Sequence, residues 1–232
     1  MLSEIIHQIR KLLSSELPNV FETNEYSASP FESQYLGKCI QIAFSLNKHD
    51  ILTNGLTAST VLIFVKSPQN PFSTKSTSKK LFSSALFNQN QNIPLRISSE
   101  CLPGFFGDTE CSCYTDTINY LKLINKNKSG IFVHLPQEAQ GRGLREKVKD
   151  HRLIYGYNES GKKINPLSQE TAMKILRPEG YDVRKYYVLK KIFKKLGLYN
   201  LSFEYLGESH TKMELIKKQS GLKLWTQRDS NP

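Results

Sequence analysis

The sequence has no apolar stretch of membrane-spanning length. Its longest uninterrupted apolar run is Val61-Leu-Ile-Phe-Val65, against the roughly 20 residues that a bilayer core requires. The first residues, Met1 to Arg10, do not follow a basic region with an apolar block; the chain is therefore expected to be cytosolic and soluble. Acidic residues are in deficit, 21 against 32 Lys and Arg, which leaves a net charge of +11. That balance favours anionic partners, either nucleic acid or a nucleotide polyphosphate. Cysteine is scarce at four residues, and a chain of 232 residues buries a core without covalent staples, so disulfides are not needed. Internal repeats are absent. So is an RNP-type aromatic signature, which weighs against a non-catalytic zinc module that binds RNA through its basic face.

Hydrophobic periodicity supplies the framework. Residues 4–16 carry Ile5, Ile6, Ile9, Leu12 and Leu13 at helical spacing, with Ser3 as a cap and Pro18 as a stop. Residues 35–66 read as strands, the first holding Cys39 as a core thiol. Residues 67–92 turn to Ser, Thr, Asn, Gln and Lys and read as a long loop. A strand at 93–97, a helix at 115–127, a strand at 130–134, a helix at 184–197 and a strand at 201–205 follow. This alternation predicts an α/β (α+β layered) fold, with mixed β-sheets flanked by helices and an extra N-terminal helix. The expected organisation is a helical appendage over 1–34 and the layered domain over 35–232, with 67–92 as a polar loop insertion. The lysines between Val188, Leu189, Ile192, Phe193 and Leu196 read as the solvated face of an amphipathic helix.

Three of the four cysteines, Cys101, Cys111 and Cys113, fall within thirteen residues. In a reducing compartment such a cluster points to metal binding or chemistry. Three protein ligands leave one open position, as catalytic zinc requires, and a water there becomes a nucleophile near neutral pH. A distant His134, His151 or His210 could instead close the shell and make the zinc structural; spacing leaves both readings open.

Arg96-Ile-Ser-Ser-Glu-Cys101, Cys111-Ser-Cys113, Gly130-Ile-Phe-Val-His134, Gln137-Glu-Ala-Gln-Gly-Arg-Gly-Leu144 and Asp182-Val-Arg184 occur in that order, ahead of a helix ending in Lys195-Leu-Gly197. Together they resemble GTP cyclohydrolase II over residues 93–220, with a weaker echo near His49 and Asp50. The resemblance implies a zinc enzyme that opens the imidazole ring of GTP, releases formate and pyrophosphate, and begins riboflavin synthesis. It implies one zinc per chain on Cys101, Cys111 and Cys113, with magnesium accompanying the nucleotide.

It also implies roles for single residues. Asp182 matches an acid–base Asp, and Arg184 a nucleophilic Arg that attacks the α-phosphorus; a carboxylate two residues away suits a guanidinium that must lose a proton. His151 falls where the family has a catalytic tyrosine. Arg96, Glu100, Asp116, Gln137, Glu138, Gln140, Arg142 and Lys212 fall at or near substrate contacts. Ser98, Gln140 and His151 depart from the family pattern, and Arg142 stands two residues beyond the arginine that Gln140 replaces. The segment between His151 and Asp182 is longer than the family's. The chain stops soon after Trp225, where the family continues, and the fold is expected to survive this. A homodimer acting on GTP is expected, with the same ring opening on another nucleotide or base as the alternative; nucleic acid and membrane are not expected as partners.

Overall fold

The computed structural model describes residues 23–67, 87, 93–178 and 183–226. The expected helix over 4–16, Asp182 and all of the 67–92 loop except Ser67 and Phe87 lie outside the described residues.

Seven strands form one mixed sheet. They are β1 (Tyr26–Ser33), β2 (Gly37–Ser45), β3 (Thr60–Lys66), β4 (Ile93–Ser99), β5 (Gly130–Leu135), β6 (Ser202–Tyr205) and β7 (Lys223–Trp225), in the spatial order β1-β2-β3-β5-β4-β6-β7. The first four in that order pair antiparallel, whereas β5, β4, β6 and β7 run parallel. The expected boundary at residue 35 therefore cuts a hairpin: β1 belongs to the sheet rather than to a helical appendage. Its sequence hid it, because Tyr-Ser-Ala-Ser-Pro-Phe-Glu-Ser is mostly polar and contains Pro30. A strand with one partner among the described residues, at the edge of the sheet, tolerates both features.

Seven helices complete the described fold: α1 (Lys48–Asn54), the single turn α2 (Leu102–Phe105), α3 (Cys113–Lys126), α4 (Leu144–Ile154), α5 (Gln169–Leu176), α6 (Tyr187–Leu196) and α7 (His210–Ser220). Helix α1 interrupts a region that reads as strand and turn. Asn47 and Asp50 form a reciprocal capping box at its start, and Gly55 closes it in the left-handed conformation.

Helices cover both faces of the sheet. Alternate strand residues such as Ile42, Phe44, Val61, Ile63, Ile97 and Val133 meet Val188, Leu189, Ile192, Phe193 and Leu196 of α6 in the main core. Each such buried side chain contributes about 1.5–3 kcal/mol. On the opposite face, Ile124 of α3 packs with Leu36, Phe132 and Leu206, and Cys39 lies against this cluster. Burial pushes the Cys39 thiol up to about 11, with the nearby Lys66 opposing the shift, as suits a core thiol. Lys190, Lys194 and Lys195 of α6 are exposed. Lys195 pairs with Glu25 at 2.6 Å and Lys191 with Asp50 at 2.7 Å, consistent with a solvated basic face. Among the described residues no helix is long and apolar enough to cross a membrane.

Candidate active site

Because β5, β4 and β6 run parallel, their carboxyl ends share one edge of the sheet, the position where open α/β sheets collect ligand-binding loops. β4 leads into Glu100 and Cys101. β5 leads into a tight 3-10 turn at Glu138–Gly141, and β6 leads into α7.

The cysteines meet because Cys101 starts α2, the chain folds back through Asp108, and Cys113 opens α3. The three Sγ atoms all lie within 4.8 Å of one another, and those of Cys101 and Cys111 are 3.3 Å apart. Gly104 makes room for them. A Cβ there would stand 3.0 Å from the Cys111 sulfur and 3.2 Å from that of Cys101. Accepting hydrogen bonds from Cys101 and then Cys113 holds the Cys111 thiol well below its ordinary range, while donation to Cys111 raises that of Cys101. Cys113 lies in the first turn of a 14-residue helix; its hydrogen bond with Cys101 lowers its pKa, but the bond to Cys111, burial and the Cys111 charge outweigh this and raise it. Among the described residues no histidine or carboxylate joins this group. Three soft donors in this arrangement fit zinc and leave a coordination position open.

A cation stands beside the thiols. Lys147 of α4 is only 6% exposed and lines the same cleft as Cys101 and Cys113. Burial works against its charge, but Cys101, Cys111, Cys113 and Glu138 outweigh that and raise its pKa. The sequence carried a signal for it: Lys147, Asp150 and Ile154 form a buried helical stripe in which two members are charged. Asp150 is held by Arg177 at 2.7 Å, both nearly buried, so α4 is tied to the segment after α5.

The cleft has two adjoining parts that share Gln140, Gln169, Met173, Arg184 and Lys212. The inner part also holds Arg96, Glu100, Cys101, Cys113, Asp116 and Glu138. The outer part opens onto Ser209 and Thr211 at the start of α7. Arg184 Nη1 approaches the Ser99 hydroxyl at 3.5 Å. Its backbone nestles against Gly141, where a Cβ would stand 3.2 Å from both Arg184 N and Cα; with φ +91°, that position is open only to glycine at low cost. Lys212 is 8% exposed and donates to the carbonyl of Ile97 at 2.8 Å. Arg96 stacks on the Tyr120 ring at 3.9 Å and donates to Leu206 O at 2.8 Å, while its buried Nε has no partner among the described residues. Glu100 accepts from Thr57 at 3.0 Å, and Asp116 from Ser112 at 2.8 Å.

Of the residues singled out in the sequence, Gln137, Glu138 and His151 bond to other parts of the protein. Gln137 is fully buried, and its amide donates to Asn54 O at 2.8 Å and Lys185 O at 2.7 Å. Glu138 lines the cleft, yet its carboxylate accepts from Leu102 N at 2.7 Å and Ala139 N at 3.1 Å, bracing the cysteine loop. Neither His151 nor Arg142 is among the cleft-lining residues. His151 Nδ1 meets Asp108 at 2.8 Å, and Tyr155 donates to the same carboxylate at 2.6 Å, tying α4 to the cysteine loop. Lys147, Gln169 and Met173 are cleft residues that sequence reasoning did not single out; the last two stand on the long segment between His151 and Asp182.

A family model described as GTP cyclohydrolase II matches residues 71–227. A riboflavin biosynthesis protein RibBA of Parabacteroides distasonis is 28% identical over 144 residues, 60% of this chain and 34% of that protein. Its counterpart in Porphyromonas gingivalis is 31% identical over 117 residues, 48% and 28% of the two chains. A GTP cyclohydrolase-2 of Picrophilus torridus is 36% identical over 63 residues, 27% of this chain and 33% of its own. The matched segments thus span about a third or less of each relative's length.

Proposed function

Because the chain belongs to the GTP cyclohydrolase II family, we propose that it is a zinc-dependent hydrolase that opens the imidazole ring of GTP and releases formate and pyrophosphate. One observation carries this reading: two thiols of the cysteine triad and the Arg184 guanidinium border a single cleft. A nucleotide whose base lies at one end and whose phosphates lie at the other would meet both. Held by Cys101, Cys111 and Cys113, zinc would supply the Lewis acidity that activates water at neutral pH.

The chain's own residues account for the rest. Glu100 and Asp116 place carboxylates at the inner end, complementary to the N1–H and N2–H donors of guanine, which adenine lacks on that edge. Met173 and Ala139 give the inner wall its apolar surface for a ring face. Arg184, Lys212 and the start of the 11-residue α7 suit the phosphates, through side-chain charge and the positive end of the helix dipole. Arg184 is the residue proposed to attack the α-phosphorus, with Asp182 as its base.

The alternative, the same ring opening on another nucleotide or base, draws on Gln140. The family has an arginine there, whereas Gln140 lines the cleft with an uncharged amide whose oxygen is an acceptor. An acceptor suits a ligand N–H or O–H group better than a phosphate oxygen. The two readings separate when zinc-loaded protein is incubated with each nucleoside triphosphate in turn. GTP should yield formate, pyrophosphate and a changed ultraviolet spectrum; turnover of another triphosphate with GTP inert would favour the alternative, and no turnover of any would defeat the GTP reading.

A further inference from the structure

Arg184 stands just before α6 in a stretch with no regular secondary structure of its own, residues 183–186. A side chain that must meet phosphorus in line needs a fixed backbone. The fixing comes from side-chain amides of distant segments. Gln137 spends one amide proton on Asn54 O at 2.8 Å and the other on Lys185 O at 2.7 Å. Asn54, 2% exposed at the end of α1, accepts Val188 N with its Oδ1 at 3.0 Å and donates to Asp50 O at 2.8 Å. Tyr186, at the N-cap of α6, makes no side-chain capping bond, and Asn54 takes over part of that task from another element. Gln219 of α7 accepts the Tyr186 N–H.

The Arg184 backbone is thus held on two sides. Val183 N donates to Gln140 O at 3.2 Å, where Gly141 permits the close approach, and the Asn54–Gln137 pair anchors Lys185 and Val188 on the other. Buried amides lose desolvation free energy unless their groups are paired, and Gln137 leaves its Oε1 without a partner among the described residues. Leucine or methionine would fill the same volume without that cost.

We infer that Asn54 and Gln137 are positioning residues that hold Arg184 in its attacking register. This rests on the proposed role of Arg184, and Arg184→Ala serves as the reference for that role. The test compares Gln137→Met, Asn54→Leu and Arg184→Ala with the unaltered full chain. Pyrophosphate release from GTP is measured per zinc-loaded, folded molecule, together with the exchange rate of the Val188 amide proton. Misplacing the guanidinium by about 1 Å should lower kcat by about a hundredfold. KM should change little, and zinc content should stay the same. The Val188 amide should exchange faster in Asn54→Leu.

Should Gln137→Met not accumulate as folded protein, Asn54→Leu carries the comparison alone. If kcat per folded molecule is unchanged and only the melting temperature falls, the pair is structural and the inference is overturned. If Arg184→Ala itself releases pyrophosphate at the normal rate, the proposed role of Arg184 fails instead, and the inference falls with it for a distinguishable reason.

Discussion

Replacing Gly104 with alanine tests the thiol site without touching a ligand. The added methyl would lie 3.0 Å from the Cys111 sulfur, 3.2 Å from the Cys101 sulfur and 3.4 Å from Cys113 Cβ. Favourable contacts between such atoms begin at about 3.5 Å, so at least two sulfurs must shift by several tenths of an ångström. Overpacking of this kind costs about 1–3 kcal/mol. Because Gly104 lies inside the cysteine loop, most of that cost should fall on the ligand geometry. Zinc affinity should then drop roughly five- to 150-fold, a factor of ten for each 1.4 kcal/mol. Competition with a chromophoric chelator reads the affinity, and the cobalt-substituted protein reports the geometry through its thiolate-to-metal absorption. An alanine variant that binds zinc within twofold of the wild type would show that the metal does not sit among these three sulfurs.

Cys113→Ser should lose stoichiometric zinc and formate production while the far-ultraviolet circular dichroism is kept, measurable by metal analysis and formate assay. If Gln140 contacts a phosphate, Gln140→Arg should tighten GTP binding by about ten- to a hundredfold, the value of a charge-assisted hydrogen bond of roughly 1.5–3 kcal/mol; titration of nucleotide against intrinsic fluorescence measures it. Burial lowers the pKa of His134, and the nearby Glu100 opposes the shift only in part. The unfolded chain therefore binds a proton at this site before the native one does. Stability should fall as pH drops through the unfolded value near 6.5 and level off below the native one. Urea titrations across that range should show a shallower slope for His134→Gln.

The cysteine triad was legible because its members are close in sequence, but spacing left a fourth, histidine ligand open, and only the folded chain keeps His134, His151 and His210 out of the group. The strands β4 and β5 were legible too, since each is a short buried run bounded by turn signals. Gln137 was read as a substrate contact, but a buried amide that pairs with backbone carbonyls looks no different in sequence from one that faces a ligand. His151 falls where the family has a tyrosine; the structure pairs it with Asp108, and no spacing rule foretells a partner 43 residues away. Helix α4 went unrecognised because its buried stripe carries Lys147 and Asp150 in place of apolar residues. The strand β1 escaped because an edge strand needs little hydrophobicity.

The central claim is that one cleft carries out both ring opening and phosphorus chemistry, and product balance tests it most directly. Zinc-loaded wild-type chain is incubated with GTP, and formate and pyrophosphate are quantified in the same aliquots as the purine absorption changes. Equal amounts of the two products, rising together, are predicted. Pyrophosphate without formate, or a purine spectrum that stays intact while phosphate bonds are broken, would contradict it.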